Sequence, residues 1–138
     1  MILKRSLAIV VAAMVVAGCG AESETSDGKQ IINIGHVGPL TGPISHLGKD
    51  NERGAGLAVD EANELDLVID GVPIQFRLLS EDDEANPQKA IVVAQKLVVS
   101  NIVGVVGHFN YGTTIPASTI YFNTGIPQVL PVATPFDY

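Results

Sequence analysis

Three histidines, an acidic tetrad and two glycine-rich stretches are the residues of this chain with the chemistry to do more than fold. His36, His46 and His108 are separated by whole predicted elements, and neither paired cysteines nor a supporting carboxylate pattern accompanies them. A metal site needs ligands that converge, so none is expected, and His36 and His108 read as caps of strand ends. Glu81, Asp82, Asp83 and Glu84 have the groups for acid–base work or a magnesium site. Their position just ahead of a helix start reads instead as a mainly solvated turn, whose charge suits the positive end of that helix. Gly35, Gly38 and Gly42 do not form the GxGxxG of a dinucleotide site. Gly42 to Asp50 has five residues between its glycines where a phosphate loop has four, and Asp50 stands where a magnesium-holding Ser or Thr is needed. No nucleophile, base and orienting group assemble, so the expectation is a protein without catalysis, cofactor or metal.

Gly107 to Ser118 (GHFNYGTTIPAS) carries more information. A strand ends there and a helix opens with glycine and two hydroxyl residues, so its first N–H groups could receive a carboxylate. The same pattern suits a helix that Thr113 merely caps, and spacing leaves both readings open.

The elements that position these loops alternate. Ile31, Ile32, Ile34 and Val37 predict a strand, closed by the Gly/Pro-rich stretch Gly38 to Gly48. Over Lys49 to Glu64, Ala55, Ala58, Val59 and Ala62 recur at helical spacing, and Gly54 and Gly56 read as points of close approach between helix and sheet. Pro73 to Leu79 alternates as a half-buried, edge-proximal strand. Asn86 and Pro87 start a second helix as cap and first residue. Ile102 to Val106 is an apolar strand, Thr113 to Asn123 a third helix, and Pro127 to Leu130 a fourth strand. The order βαβαβαβ implies an α/β fold, a parallel sheet with helices on both faces. Ligands of such sheets bind beyond the carboxyl ends of the strands. The loops there are Gly38 to Gly48, Glu81 to Ala85, Gly107 to Gly112 and Pro131 to Thr134.

Met1 to Cys19 has another purpose. Lys4 and Arg5 precede an uncharged run from Leu7 to Ala17 that is too short to span a ~30 Å hydrocarbon layer. This is the pattern of a removable export signal. The 138 residues hold 8 basic and 15 acidic side chains, a formal charge of −7; without Lys4 and Arg5 the basic count is 6 and the balance −9. So acidic a chain is not expected to bind nucleic acid. Ala21 to Lys29 has no apolar periodicity and reads as a solvated tether. The expected division is a signal over 1–18, a polar tether over 19–30 and a ligand-binding lobe over 31–138.

Val16, Ala17, Gly18 and Cys19 resemble the lipobox of bacterial lipoproteins, which implies an exported chain lipid-anchored through Cys19 to the cell envelope, on a periplasmic or outer face. The strings IGHVGPLTGPISHLGKDNERGAGLAVDEAN, EDDEANPQKAIVVAQKLV and VVGHFNYGTTIPASTIYFNTGIPQVLPVAT are similar to the amino-terminal lobe of the Leu/Ile/Val-binding protein family. These are extracytoplasmic receptors that hand amino acids to an ABC permease in the inner membrane. The resemblance implies a periplasmic binding protein type I lobe, incomplete because such receptors have two lobes. It implies that Thr134 and the Val132 carbonyl hold the amino acid's charged ends, with Tyr111 where the family has a carboxylate-binding serine. Phe109 and Leu47 match positions lining the side-chain pocket, and Thr113 belongs to the same helix start. Some relatives carry a disulfide between the positions matching Ala85 and Asn110, and both cysteines are missing here. The alternative is a ligand-sensing module coupled to a signalling partner.

Overall fold

A computed structural model describes residues 25–132. Its elements are β1 (Thr25–Ser26), β2 (Lys29–Gly38), α1 (Ser45–Glu64), β3 (Val68–Ile69), β4 (Val72–Asp82), α2 (Pro87–Val99), β5 (Ile102–Val106), α3 (Tyr111–Thr124) and β6 (Gln128–Val129). One sheet runs β3-β4-β2-β5-β6, with β1 added beside β2. The pairs β2/β4, β2/β5 and β5/β6 are parallel, as the alternating order requires. α2 and α3 cover one face over a core of Val37, Ala90, Val93, Ala94, Leu97, Ile102, Val105, Ala117 and Tyr121. α1 lies on the other face, against β4 and β2.

Two antiparallel additions were not expected. β1 pairs with the start of β2, and β3 pairs with β4. Each hairpin turns on an Asp-Gly pair with positive φ at both residues, Asp27 and Gly28 at 50° and 79°, Asp70 and Gly71 at 51° and 81°. That is the two-residue turn whose twist matches paired strands. The polar segment expected as a tether up to residue 30 is therefore part of the sheet from Thr25 onward.

α2 starts as expected, with the Asn86 carboxamide accepting from the N–H groups of Gln88 (2.9 Å) and Lys89 (3.1 Å) and Pro87 in the first turn. α1 begins at Ser45, four residues earlier than its periodicity suggests, so Leu47 and Gly48 lie in its first turn rather than in a loop. Its far end is pinned by Asn63, whose carboxamide donates to the Phe76 carbonyl and accepts from the Phe76 N–H at 3.0 and 2.8 Å.

Gly54 and Gly56 do not mediate close approach. A Cβ at either position meets nothing within 4 Å. Both are unconstrained helix-interior glycines, so Gly54→Ala should stabilise the fold by about 0.5–1 kcal/mol. A higher urea midpoint with an unchanged m value is the expected reading.

Candidate functional site

The connections set where a site can form. β2 and β5 are neighbours in the sheet, yet β2 leads into α1 on one face and β5 into α3 on the other. The chain thus diverges at the carboxyl ends of β2 and β5, the crevice in which open α/β sheets bind ligands.

Both helices at this crevice start open. Ile44 precedes α1 and Asn110 precedes α3, and neither makes a side-chain cap. Neither first turn contains an acidic residue. Several leading N–H groups already donate to backbone carbonyls, Ser45 to Gly42 (3.2 Å), Leu47 to Ile44 (3.0 Å) and Thr113 to Asn110 (3.2 Å), so what each start presents to an anion is chiefly the positive end of its dipole, which no acidic side chain of the first turn offsets. α2, by contrast, is capped by the Asn86 side chain.

Three loops around the crevice are locked by two consecutive aspartates that serve opposite neighbours. Asp82 accepts from the Leu40 N–H (2.9 Å), the Thr41 hydroxyl (2.6 Å) and the Glu84 N–H (2.9 Å), tying the loop after β2 to the loop after β4. Burial alone would raise its pKa; the hydrogen bonds from Thr41, Glu84 and Leu40 outweigh that and hold the carboxyl below its usual value. Asp83 is fully buried. It accepts from the Ala85 N–H (2.9 Å) and, 2.8 Å away, from Nδ1 of His108 on the loop after β5. Nδ1 donates to the Asp83 carboxyl, and Nε2 stands 3.3 Å from the Tyr121 hydroxyl. Burial pushes the Tyr121 phenol well up, keeping it a donor. The Thr114 hydroxyl donates to the His108 carbonyl (3.1 Å), and the Gln128 carboxamide donates to the Gly107 carbonyl (2.7 Å).

The acidic run is thus not a solvated turn. Asp82 and Asp83 are its structural centre, while Glu81 pairs with Lys96 at 2.6 Å and Glu84 with Lys89. Nor do His36 and His108 cap strand ends. Both are fully buried, His108 in the pair just described and His36 against Asn51 of α1 at 3.0 Å. Nδ1 of His36 has no partner. Burial lowers the His36 pKa below 6.5, and the hydrogen bond to Asn51 and the charges of Glu52 and Asp83 offset this only partly. Between its folded value and 6.5 the unfolded chain binds more protons, so this group's contribution is complete above pH 6.5 and is lost as pH falls. Urea midpoints at pH 7.5 and 5.5 should show that decline, reduced in His36→Leu.

The residues expected at a ligand are only partly brought together. Leu47 (41% exposed) on the first turn of α1 and Tyr111 (46% exposed) at the start of α3 flank the crevice. Phe109 lies in the loop between β5 and α3, its Cβ 3.8 Å from a Cβ built at Gly38. Val132 is half exposed beyond β6. Thr113 is fully buried, and its hydroxyl donates to the Asn110 carbonyl (2.9 Å), bracing the first turn rather than pointing into the crevice. Thr134 and Cys19 lie outside the described residues. The residues that sequence reasoning missed are Asp82, Asp83 and His108. Among the described residues, no three His, Cys, Asp or Glu side chains group as metal ligands.

The sequence profile described as periplasmic binding protein matches residues 31–136. The leucine-, isoleucine-, valine-, threonine- and alanine-binding protein of Pseudomonas aeruginosa is 34% identical over 123 residues, 89% of this chain and 31% of that protein. Leu/Ile/Val-binding protein homolog 1 of Brucella abortus is 38% identical over 100 residues, 72% of this chain and 26% of that protein. The crystal structure of the branched-chain amino acid transporter substrate binding protein LivJ from Streptococcus pneumoniae, in complex with isoleucine, matches with a TM-score of 0.71 at 31% identity, over 78% of this chain and 30% of that one. The chain therefore spans less than a third of the length of these relatives.

Proposed function

Because this chain belongs to the periplasmic binding protein family, we propose that it is the solute-binding component of a branched-chain-type amino acid ABC transporter, contributing the first-lobe half of the ligand cleft. The observation that carries this reading is the pair of open helix starts, α1 and α3, on either side of the β2/β5 crevice. Together they turn two positive dipole ends toward an amino acid's carboxylate. The Thr134 hydroxyl and the Val132 carbonyl supply partners for the charged ends, with Thr113 holding the helix turn. Phe109, Leu47 and the Tyr111 ring border the side chain. The relatives' names, for binding aliphatic amino acids and for a transporter, favour transport over signalling. In this reading the partners are the amino acid and an inner-membrane permease, and the protein binds and releases without catalysis. Its place is the cell envelope, held by lipid on Cys19.

The test is a titration of the ¹⁵N-labelled chain with isoleucine and, separately, with isoleucinamide, which lacks the carboxylate. Isoleucine should shift the non-proline amides of residues 40–47 and the amides of 107–112, and isoleucinamide should not. Equal shifts from both would refute carboxylate recognition at the open helix ends. Thr134→Ala should weaken isoleucine binding by about 1–3 kcal/mol, the cost of leaving a charged group without its partner. For the anchor, palmitate labelling in a bacterial host should disappear in Cys19→Ser.

A further inference from the structure

Acid and exposed hydrocarbon are divided between the two faces of the sheet. α1, on one face, carries Asp50, Glu52, Asp60, Glu61 and Glu64, whereas α2 and α3, on the other, carry no acidic residue, and neither Asp nor Glu occurs from Ala85 to Thr134. The outer side of α2 and α3 is apolar instead. Val99 (82% exposed) and Phe122 (85%) are the most exposed large hydrophobic side chains among the described residues, and Val92 and Ile115 are more than half exposed. Val92 and Val99, like Ile115 and Phe122, are seven residues apart, which is two turns, so each pair forms one row along its helix. Each row lies opposite the residues its helix buries, Ala90, Val93, Ala94 and Leu97 in α2 and Thr113, Thr114, Ala117 and Tyr121 in α3. Because the two helices pack on one another over one core, the rows share one outer face.

We propose that this face is a self-association surface, on which a second copy of the chain seats its own α2 and α3 about a two-fold axis. A two-fold contact sets the same patch of both copies against each other, so a charge on it meets its like unless the patch also supplies the opposite sign. Over most of an acidic chain, with a formal charge of −7, that opposes association. The α2/α3 face escapes the penalty. α3 has no charged residue, and both lysines of α2 are matched within the chain, Lys89 by Glu84 and Lys96 by Glu81. The acids of α1 lie beyond the sheet, on the side away from the partner. Gln88 and Gln95 on α2, and Thr119 and Asn123 on α3, each both donate and accept, so each can meet its own copy. An anionic partner, whether lipid surface or nucleic acid, would be drawn by unmatched basic charge, which α2 and α3 do not offer.

Size sets the strength of the contact. Helices of 13 and 14 residues are about 20 Å long and about 10 Å across, so side by side they present a flat footprint of roughly 400 Å². That matches the apolar patches that mark binding surfaces on monomers and is half of the roughly 800 Å² per partner in a standard interface. A weak, concentration-dependent dimer is the consequence, held by hydrocarbon rather than by ion pairs. Val99 and Phe122 lie toward the ends of their helices remote from the crevice, so the contact leaves the crevice open. This inference does not depend on what the crevice binds.

Sedimentation velocity of the chain from about 1 μM to about 1 mM provides the test, and the mass should rise from monomer to dimer with a dissociation constant on the order of 100 μM. Phe122→Lys and Val99→Lys each set like charges on the two copies and should weaken the dimer by about tenfold or more. Leu57→Lys, at an exposed position of α1 on the opposite face, makes the same change in net charge and should leave the dimer intact. All three side chains are exposed, and circular dichroism should show the fold retained in each variant. Raising NaCl from about 50 to about 500 mM should not dissociate the copies, because screening acts on charges and this face has none unmatched. A monomer throughout the range overturns the proposal, as does a dimer that Phe122→Lys and Val99→Lys leave intact or that salt dissociates. So does a monomer that binds phosphatidylcholine vesicles and loses that binding in Phe122→Lys, because the face would then serve a lipid surface.

Discussion

Replacing Asp83 with alanine should lower unfolding free energy by about 2–6 kcal/mol, since two buried donors are left unsatisfied at about 1–3 kcal/mol each. The substitution leaves the Ala85 N–H without its acceptor at 2.9 Å and the His108 Nδ1–H without its acceptor at 2.8 Å. Neither Asp83 nor His108 is exposed, so water does not replace what is lost without the loops opening. Domains are held by about 5–15 kcal/mol in total, so the loss takes a large share of the stability. Asp83→Asn should cost less. Its oxygen still accepts from Ala85, and its NH₂ can donate to Nδ1 of the other histidine tautomer, whose Nε2–H then donates to the Tyr121 hydroxyl oxygen. Urea denaturation of the three proteins at pH 7 orders them, and amide exchange should show the alanine variant opening first at residues 107–112, ahead of α2. A loss under about 1 kcal/mol for Asp83→Ala would mean that the pair does not hold these loops.

The second large effect comes from a methyl group. A Cβ at Gly48 would lie 2.3 Å from the Pro39 carbonyl oxygen and 2.7 Å from its carbon. Both are backbone atoms, and Pro39 is itself fully buried, so no side chain can swing aside. Gly48→Ala should therefore destabilise by about 3 kcal/mol, the upper end for overpacking, as the start of α1 lifts away from the loop after β2. Because Leu47 and the positive end of the helix ride on that turn, isoleucine-induced shifts of the non-proline amides over 40–47 should shrink as well. Gly54→Ala, six residues later in the same helix, carries the opposite sign because nothing faces it. A thermal melt of the two variants side by side reads the contrast directly; equal shifts would show that Pro39 yields.

The parallel core was legible because its strands are β-branched and its helices periodic. Ile31 to Val37 and Ile102 to Val106 stand out in a window of a few residues, and Asn86-Pro87 announces α2 by chemistry that acts within four residues. The hairpins at Asp27-Gly28 and Asp70-Gly71 went unseen although the dipeptides are strong turn signals, because each outer strand has only two residues and no alternation to count. The crevice at the carboxyl ends of β2 and β5 was legible from topology. Its internal frame was not, since Asp83 and His108 are 25 residues apart and acidic residues between elements look solvated until the loops are brought together. α1 misled in a different way. Its stripe was found correctly, yet Gly48 is the helix's only fully buried residue.

The open starts of α1 and α3 couple recognition to robustness. A serine or aspartate cap at either position would add about 1 kcal/mol to the free protein, and both helices go without it. That unused stability is available to whatever anion takes the caps' place, so occupancy should raise the melting temperature by more than contacts to the ligand's side chain would provide. It also sets a conflict for engineering. A side-chain cap at Ile44 or Asn110 would harden the empty protein while setting an acceptor at the helix end on which binding relies, so thermal tolerance and affinity would move in opposite directions at the same two residues.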